Sequence, residues 1–391
     1  MNDENAKVGA FGAARTAELQ RRLKDAGVDW AVLTDPDSVA YYGGYWNYLG
    51  MEFGRPTMMV VPADGEPAIV TPLMESDMCR QMTWLDDVRP WEDGDGAPWG
   101  DKMREVIGEG GKLGLGIEAA KTPPLIAGFI GQNLPRATIT DVTRHIAEQR
   151  MIKDLAEIQV LREAGQVAVA MVDGGRSAIA EGVPEYELAL AVIAGGTRKA
   201  AELIGEGDVA RHFSPMIHGL QVLQSGHDTC LVHRRASTRR LQKGDPIYFC
   251  CCGMVNYKHY KLGFDRNFFV GETTDEVARH YEATIAAQAA ALNALRPGAV
   301  AEDVHAEAEA VYRDAGLSPG YRTGRAVGYS FLETPEIKRG DKTQLRAGMT
   351  FAIDGGITIA GEYGTRVGDS VLITENGHAV LTPYEKGLMI I

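Results

Sequence analysis

A chain of 391 residues, 45% of them hydrophobic and 24% charged, has material for two or three domains. Its net charge of −13 repels phosphate backbones, so nucleic acid is not an expected partner. No segment approaches the roughly 20 apolar residues of a membrane helix, and Met1 to Arg15 is polar, without an apolar signal core. A cytoplasmic protein without membrane contact is expected. The five cysteines (Cys79, Cys230, Cys250, Cys251 and Cys252) are odd in number and three are consecutive, which is no disulfide framework and fits a reducing compartment. Adjacent cysteines on a strand point to opposite faces, so the run reads as a poor metal clamp and, for at least two of the three, as buried strand filler.

In chain order, the periodicity predicts an amphipathic helix over 15–27, with Leu19, Leu23 and Val28 apolar and Arg21, Arg22, Lys24 and Asp25 polar. Trp30 to Leu33 is a short strand followed by the turn Asp35-Pro36-Asp37, and Thr57 to Val61 is a second strand closed by Pro62-Ala63-Asp64-Gly65. Ala68 to Thr71, Leu113 to Gly116 and Thr138 to Asp141 continue the pattern. Strands alternating with helices over this half imply one α/β domain, 1–148. The remainder, 149–391, has long helices near 156–180 and 275–295, a strand region between them at 210–272, and a helix near 301–315. Strands then fall at 349–354, 357–360 and 369–373, which together imply an α+β domain.

Three segments carry the chemistry. They are Gln224-Ser225-Gly226 leading to His233 and Gly244-Asp245-Pro246-Ile247-Tyr248-Phe249-Cys250, then Gly263-Phe264-Asp265-Arg266-Asn267, then Ile353-Asp354-Gly355-Gly356 leading to Arg366-Val367-Gly368-Asp369. Asp265 and Asp354 lie in or beside apolar strands, where a carboxylate needs a cation or hydrogen bonds. His233 near such carboxylates can move protons at neutral pH. Each group also has a plain structural reading: His233 as a hydrogen-bond donor, and the aspartates as ion-pair partners of Arg266 or Arg366.

The order of these elements resembles the pita-bread family, which includes methionine aminopeptidase, prolidase, aminopeptidase P and creatinase. The resemblance runs from about 15 to 389. It implies an α+β fold, with a C-terminal pita-bread domain and a smaller α/β creatinase-type N-terminal domain. The peptidases of the family hold two metal ions on two aspartates, a histidine and two glutamates. Matching residue by residue, those positions are Cys250, Asp265, Arg325, Asp354 and Gly368 here. One ligand is kept and one shortened, so the resemblance implies no dinuclear metal site and no cofactor.

The creatinase branch is the closer resemblance, through Phe53-Gly54-Arg55-Pro56, Val183-Pro184-Glu185-Tyr186-Glu187 and the spacing from Gln224 to His233. It implies His233 as the catalytic acid–base. It also implies Phe53 and Arg55 as substrate-binding residues donated across a homodimer, with Asp265, Asp354, Arg325 and Cys250 lining the other end. The expected activity is metal-independent hydrolysis of a non-peptide C–N bond in a small zwitterionic guanidino or amidino acid. The alternatives are a cyclic-amidine hydrolase, a lyase on a sulfonium or ammonium acid, a metal-dependent Xaa-Pro peptidase, and an inactive binding protein. The aromatic cluster Tyr41, Tyr42, Tyr45, Trp46 and Tyr48 reads equally as pocket lining, interface or core.

Overall fold

The computed structural model describes residues 3–47, 54–108, 112–207, 212–217, 222–252, 255–318 and 320–391. It divides into two compact units, Met1–Gln149 and Arg150–Ile391.

The first unit begins with α1 (Asp3–Asp25), β1 (Trp30–Leu33) and α2 (Pro36–Gly43), and continues through β2 (Met58–Pro62), β3 (Ala68–Pro72), α3 (Leu73–Met82) and β4 (Asp87–Trp91). It ends with α4 (Pro98–Ile107), β5 (Leu113–Ile117), α5 (Pro124–Asn133), β6 (Ala137–Asp141) and α6 (Thr143–Met151), the last running to the unit boundary. One sheet holds the six strands in the order β4-β3-β2-β1-β5-β6. The hairpin β2–β3 is antiparallel, whereas β3–β4 and β5–β6, each joined through a helix, are parallel. The α/β reading of this half therefore holds. The strand missing from the sequence reading is β4, where Asp87, Arg89 and Pro90 break the apolar run. Proline is tolerated there because β4 is the sheet edge. Val32, Met58, Val60, Trp91, Trp99 and Leu115 form the core. Of the aromatic cluster, Tyr41, Tyr42 and Tyr45 are buried in this unit and Trp46 is half-buried. Tyr48 lies outside the described residues.

The second unit opens with α7 (Leu155–Ser177), capped by Asp154 and Glu157 in a reciprocal capping box. Against it lies α8 (Glu185–Ile204), a helix the sequence reading marked only at its start. A Cβ on Gly174 would meet the carbonyl of Ala191 at 2.5 Å, so glycine is what lets the two helices approach so closely. The strands are β7 (Val222–Ser225), β8 (Pro246–Cys250), β9 (Val255–Tyr257), β10 (Tyr260–Leu262) and β11 (Asp265–Phe269). Two helices follow, α9 (Asp275–Ala294) and α10 (Ala301–Asp314), then β12 (Arg322–Ala326), β13 (Glu333–Lys338), β14 (Thr350–Ile359), β15 (Tyr363–Thr374) and β16 (Gly377–Val380).

The main sheet runs β13-β12-β14-β15-β11-β8-β7, with β16 beside β15, and every pairing in it is antiparallel. Helices α9 and α10 cover it through Ala291, Val304, Tyr312, Phe351, Ile353 and Val371. Sequence reading split β14 at Gly355-Gly356. The structure keeps both glycines extended and paired with Val367 and Arg366, so the strand is continuous.

Candidate functional site

The site is a row of residues across four strands. Cys250 on β8 pairs with Asp265 on β11, Asp265 with Gly368 on β15, and Gly368 with Asp354 on β14. Alternation along each strand puts these positions on one face. Arg266, the next residue on β11, points the opposite way. There it donates to the carbonyls of Asp265 and Gly368 at 2.8 Å and to Asp369 at 2.7 Å, and both charged partners are fully buried. That network fixes β11 against β15 where Asp265 needs to be held. Arg266 therefore serves Asp369 and is not the ion-pair partner of Asp265.

Gly368 leaves the gap that the two carboxylates fill. A Cβ there would lie 2.5 Å from Asp265 Oδ2 and 2.9 Å from the Asp354 Cβ. Asp265 is 2% exposed. Its Oδ1 accepts from the Tyr248 hydroxyl at 3.1 Å and from the Cys252 thiol at 3.3 Å. Burial, and then the charge of Asp354, raise its pKa above the ordinary aspartate value, while the two thiols and Arg325 pull the other way. Asp354 is bound by the Arg325 guanidinium. Burial works against the charge on Arg325, but Asp354, together with Cys252 and Asp265, outweighs it and keeps the guanidinium protonated. Arg325 also stacks on the Phe331 ring at 4.5 Å.

Cys250, Cys252, Asp265, Arg325 and Asp354 line a cavity of about 410 Å³, which Tyr248, Arg322, Arg366 and the exposed His233 also border. Of the residues singled out in the sequence, Cys250, Asp265, Arg325, Asp354 and His233 thus border one cavity. His233 is exposed and makes no hydrogen bond to a described residue. The loop that carries it is tied to α8: fully buried Glu185 accepts from the backbone and hydroxyl of both Ser225 and Ser237 at 2.6–2.8 Å. Arg55 lies in the first unit, paired with Asp93, and Phe53 lies outside the described residues.

Sequence reasoning missed Tyr248, Cys252 and Arg366. The signal for Cys252 was the two-residue repeat: Cys250 and Cys252 both face Asp265, while Cys251 is turned away and fully buried. All three cysteines are buried, but only Cys251 is filler and nothing more, since the other two also line the cavity. Contact with Cys252, and then burial, raise the Cys250 thiol well above its ordinary value.

The donor set does not fit the paired hard ions of the metal-binding relatives. Such ions need several oxygen ligands. Here a thiol, a guanidinium and a glycine stand at three of the five positions that the resemblance implies, and the Asp354 carboxylate is already taken by Arg325. Cys250, Cys252 and Asp265 do bring three ligand atoms within 4.8 Å of one another, a set that suits one soft ion.

Comparison with known proteins sets this geometry in a family. The family model for metallopeptidase family M24 matches residues 159–375, and that for the creatinase/prolidase N-terminal domain matches 15–152. The chain is 32% identical over 388 residues to an agropine synthesis cyclase of Rhizobium rhizogenes, covering 95% of this chain and 96% of that one. It is also 32% identical over 378 residues to a probable dipeptidase PepE of Mycobacterium tuberculosis, covering 93% and 92%. Among solved structures, dipeptidase PepE from Mycobacterium ulcerans superposes with a TM-score of 0.80 at 26% identity, covering 98% of each chain. A prolidase from Pyrococcus furiosus superposes at 0.77 with 25% identity, covering 94% of this chain and 99% of that one. These relatives correct one expectation. Hydrolysis of a non-peptide C–N bond is overturned, because the relatives carry the names of dipeptidases, an Xaa-Pro dipeptidase and a cyclase. With its creatinase-type first domain and its pita-bread second domain, the chain belongs to metallopeptidase family M24.

Proposed function

We propose that the protein catalyses acyl transfer on a small polar substrate, closing or opening a ring, and that Arg325 supplies the positive charge that metal ions supply in the peptidases. In ring closure, a hydroxyl or amine of the substrate attacks an acyl carbon of the same molecule. The attacking group's proton passes to the Asp265 carboxylate as the new bond forms. The acyl oxygen becomes an oxyanion beside the Arg325 guanidinium, a fixed cation in a largely buried setting. Collapse breaks the bond to the leaving group, which takes the proton back from Asp265. Where the leaving group is water, ring opening is the reverse: water attacks the ring acyl carbon and gives its proton to Asp265, and the ring hydroxyl or amine leaves with that proton.

The observation that carries this reading is the pairing of a raised Asp265 carboxyl with a charged, 4% exposed Arg325 on one cavity wall. A carboxyl with raised proton affinity titrates nearer working pH, where an acid–base group is most effective. The 32% identity to a protein named as a cyclase, over 95% of this chain, supports ring closure. The test uses protein dialysed against a chelator and a panel of hydroxy acids, amino acids and their lactones and lactams. Turnover should survive chelation and disappear in Asp265→Asn. A requirement for added manganese or cobalt would defeat the proposal.

A second reading is a dipeptidase using a single soft ion held by Cys250, Cys252 and Asp265. The 4.8 Å clustering of their ligand atoms and the dipeptidase names of several relatives favour it. Cleavage of an Xaa-Pro dipeptide only after cobalt loading would select this reading over the first.

A further inference from the structure

A second row of residues crosses the same sheet face, two positions along from the first. Tyr248 on β8 pairs with Asn267 on β11. Asn267 Oδ1 accepts from the backbone of Arg366 on β15 at 2.6 Å, and Arg366 pairs with Gly356 on β14. Alternation returns these side chains to the face that carries Cys250, Asp265 and Asp354. Arg366, Tyr248 and Gly356 all line the cavity.

The arginines of the cavity differ in their partners. Arg325 is matched by Asp354, and Arg322 by Glu336 at 2.9 Å. Arg366 has no carboxylate partner among the described residues. Its terminal nitrogen donates to Thr358 Oγ1 at 3.3 Å, its guanidinium lies 5.9 Å from the Tyr248 ring centre, and its buried Nε donates to no described residue. A buried donor without an acceptor is costly, and a ligand that accepts from it removes that cost. Gly356 opposite makes room, since a Cβ there would lie 2.6 Å from Arg366 Cγ.

We infer that Arg366 is the anchor for a carboxylate of the substrate, and that the substrate is a small acid with this carboxylate in addition to its reacting acyl group. The inference rests on the acyl-transfer reading for the second half of that statement only. Arg366 and Gly368 are two residues apart on one strand, so the anchor and the Asp265–Asp354 pair are separated by ~7 Å along β15. That span fits a short-chain acid with polar groups at both ends. A guanidinium fork takes a carboxylate through two parallel hydrogen bonds, which selects it over a neutral amide.

The test is thermal denaturation and calorimetric titration with glutarate, with its uncharged counterpart glutaramide, and with inorganic phosphate. Wild-type protein should be stabilised by glutarate and not by glutaramide, because a ligand that binds the native state raises its melting temperature. Arg366→Gln should weaken glutarate binding roughly tenfold or more, and Arg366→Lys should retain part of it. Asp265→Asn should abolish turnover and leave glutarate binding intact, which separates failure of the chemistry from failure of the anchor. Equal binding of glutarate and glutaramide by wild-type protein would overturn the anchor, and so would undiminished glutarate binding in a folded Arg366→Gln variant. Stabilisation by phosphate alone would overturn the carboxylate assignment. If Arg366→Gln does not fold, the comparison of acid with amide in wild-type protein still decides.

Discussion

Replacing Arg325 with methionine removes the only cation paired to Asp354 among the described residues and leaves a carboxylate that is 18% exposed in place. Arg325 itself is 5% exposed in its side chain, so both charges are largely desolvated. Removing one partner of a buried pair costs about 3–5 kcal/mol, since the remaining charge is stranded. A unit of this size loses about 2–4 °C of melting temperature per kcal/mol, so Arg325→Met should melt about 6–20 °C lower. Arg325→Met combined with Asp354→Leu removes both charges and should recover most of that loss. Both variants should lack activity, because the cation facing the oxyanion is gone and such a donor is worth roughly 10²–10³-fold in rate. Scanning calorimetry and urea unfolding on the two variants, beside Asp354→Leu alone, complete the cycle. If the single arginine variant melts with wild-type protein, or the double variant is no better than the single, the pair is not the buried, mutually dependent unit described above.

Other expectations follow from the same geometry. Asp265 holds its proton above the ordinary aspartate value, so its contribution to stability is present below the unfolded value and is lost as pH rises through the folded one. Asp265→Asn should therefore remove a destabilising term at neutral pH while lowering turnover by roughly 10²–10⁴-fold. Melting curves from pH 3 to about 8 that are no flatter than those of wild-type protein would contradict the assignment. Gly368→Ala puts a methyl group 2.5 Å from Asp265 Oδ2 and should cost about 1–3 kcal/mol with loss of activity; an active, fully stable variant would show that the gap between the carboxylates is unimportant. Glu185→Gln turns two of four accepted hydrogen bonds against amide hydrogens and should cost about 1–3 kcal/mol. Hydrogen exchange should rise first in 225–240, the loop that bears His233, and protection there equal to that of wild-type protein would count against the tether.

The fold was legible in the sequence where local pattern coincided with local structure. The alternation of strands with helices in the first unit, and α7, α9 and α10 in the second, follow from apolar spacing and turn residues. β4 escaped because its edge position, which permits Pro90, depends on the rest of the sheet. The continuity of β14 escaped because Gly355-Gly356 reads locally as a break and is stabilised by β15. Cys250, Asp265, Arg325 and Asp354 could be gathered by family spacing, and they line one cavity. Cys252 and Arg366 could not, since their place depends on register between strands more than 100 residues apart, as in the pairing of Asp265 with Gly368. The reaction was the least legible part. The loss of metal ligands pointed toward the non-peptide branch of the family, and the similarity to dipeptidases and a cyclase overturned the C–N hydrolase reading.

The most direct measurement is a titration of chelator-stripped protein with manganese, paired with an anomalous-scattering map of a manganese-soaked crystal. Arg325 in the place of a metal ligand and glycine at 368 predict no manganese across the Cys250–Asp265–Gly368–Asp354 row, and Asp265-dependent turnover without it. Two manganese ions seated side by side on that row, with activity rising as they bind, would contradict the account.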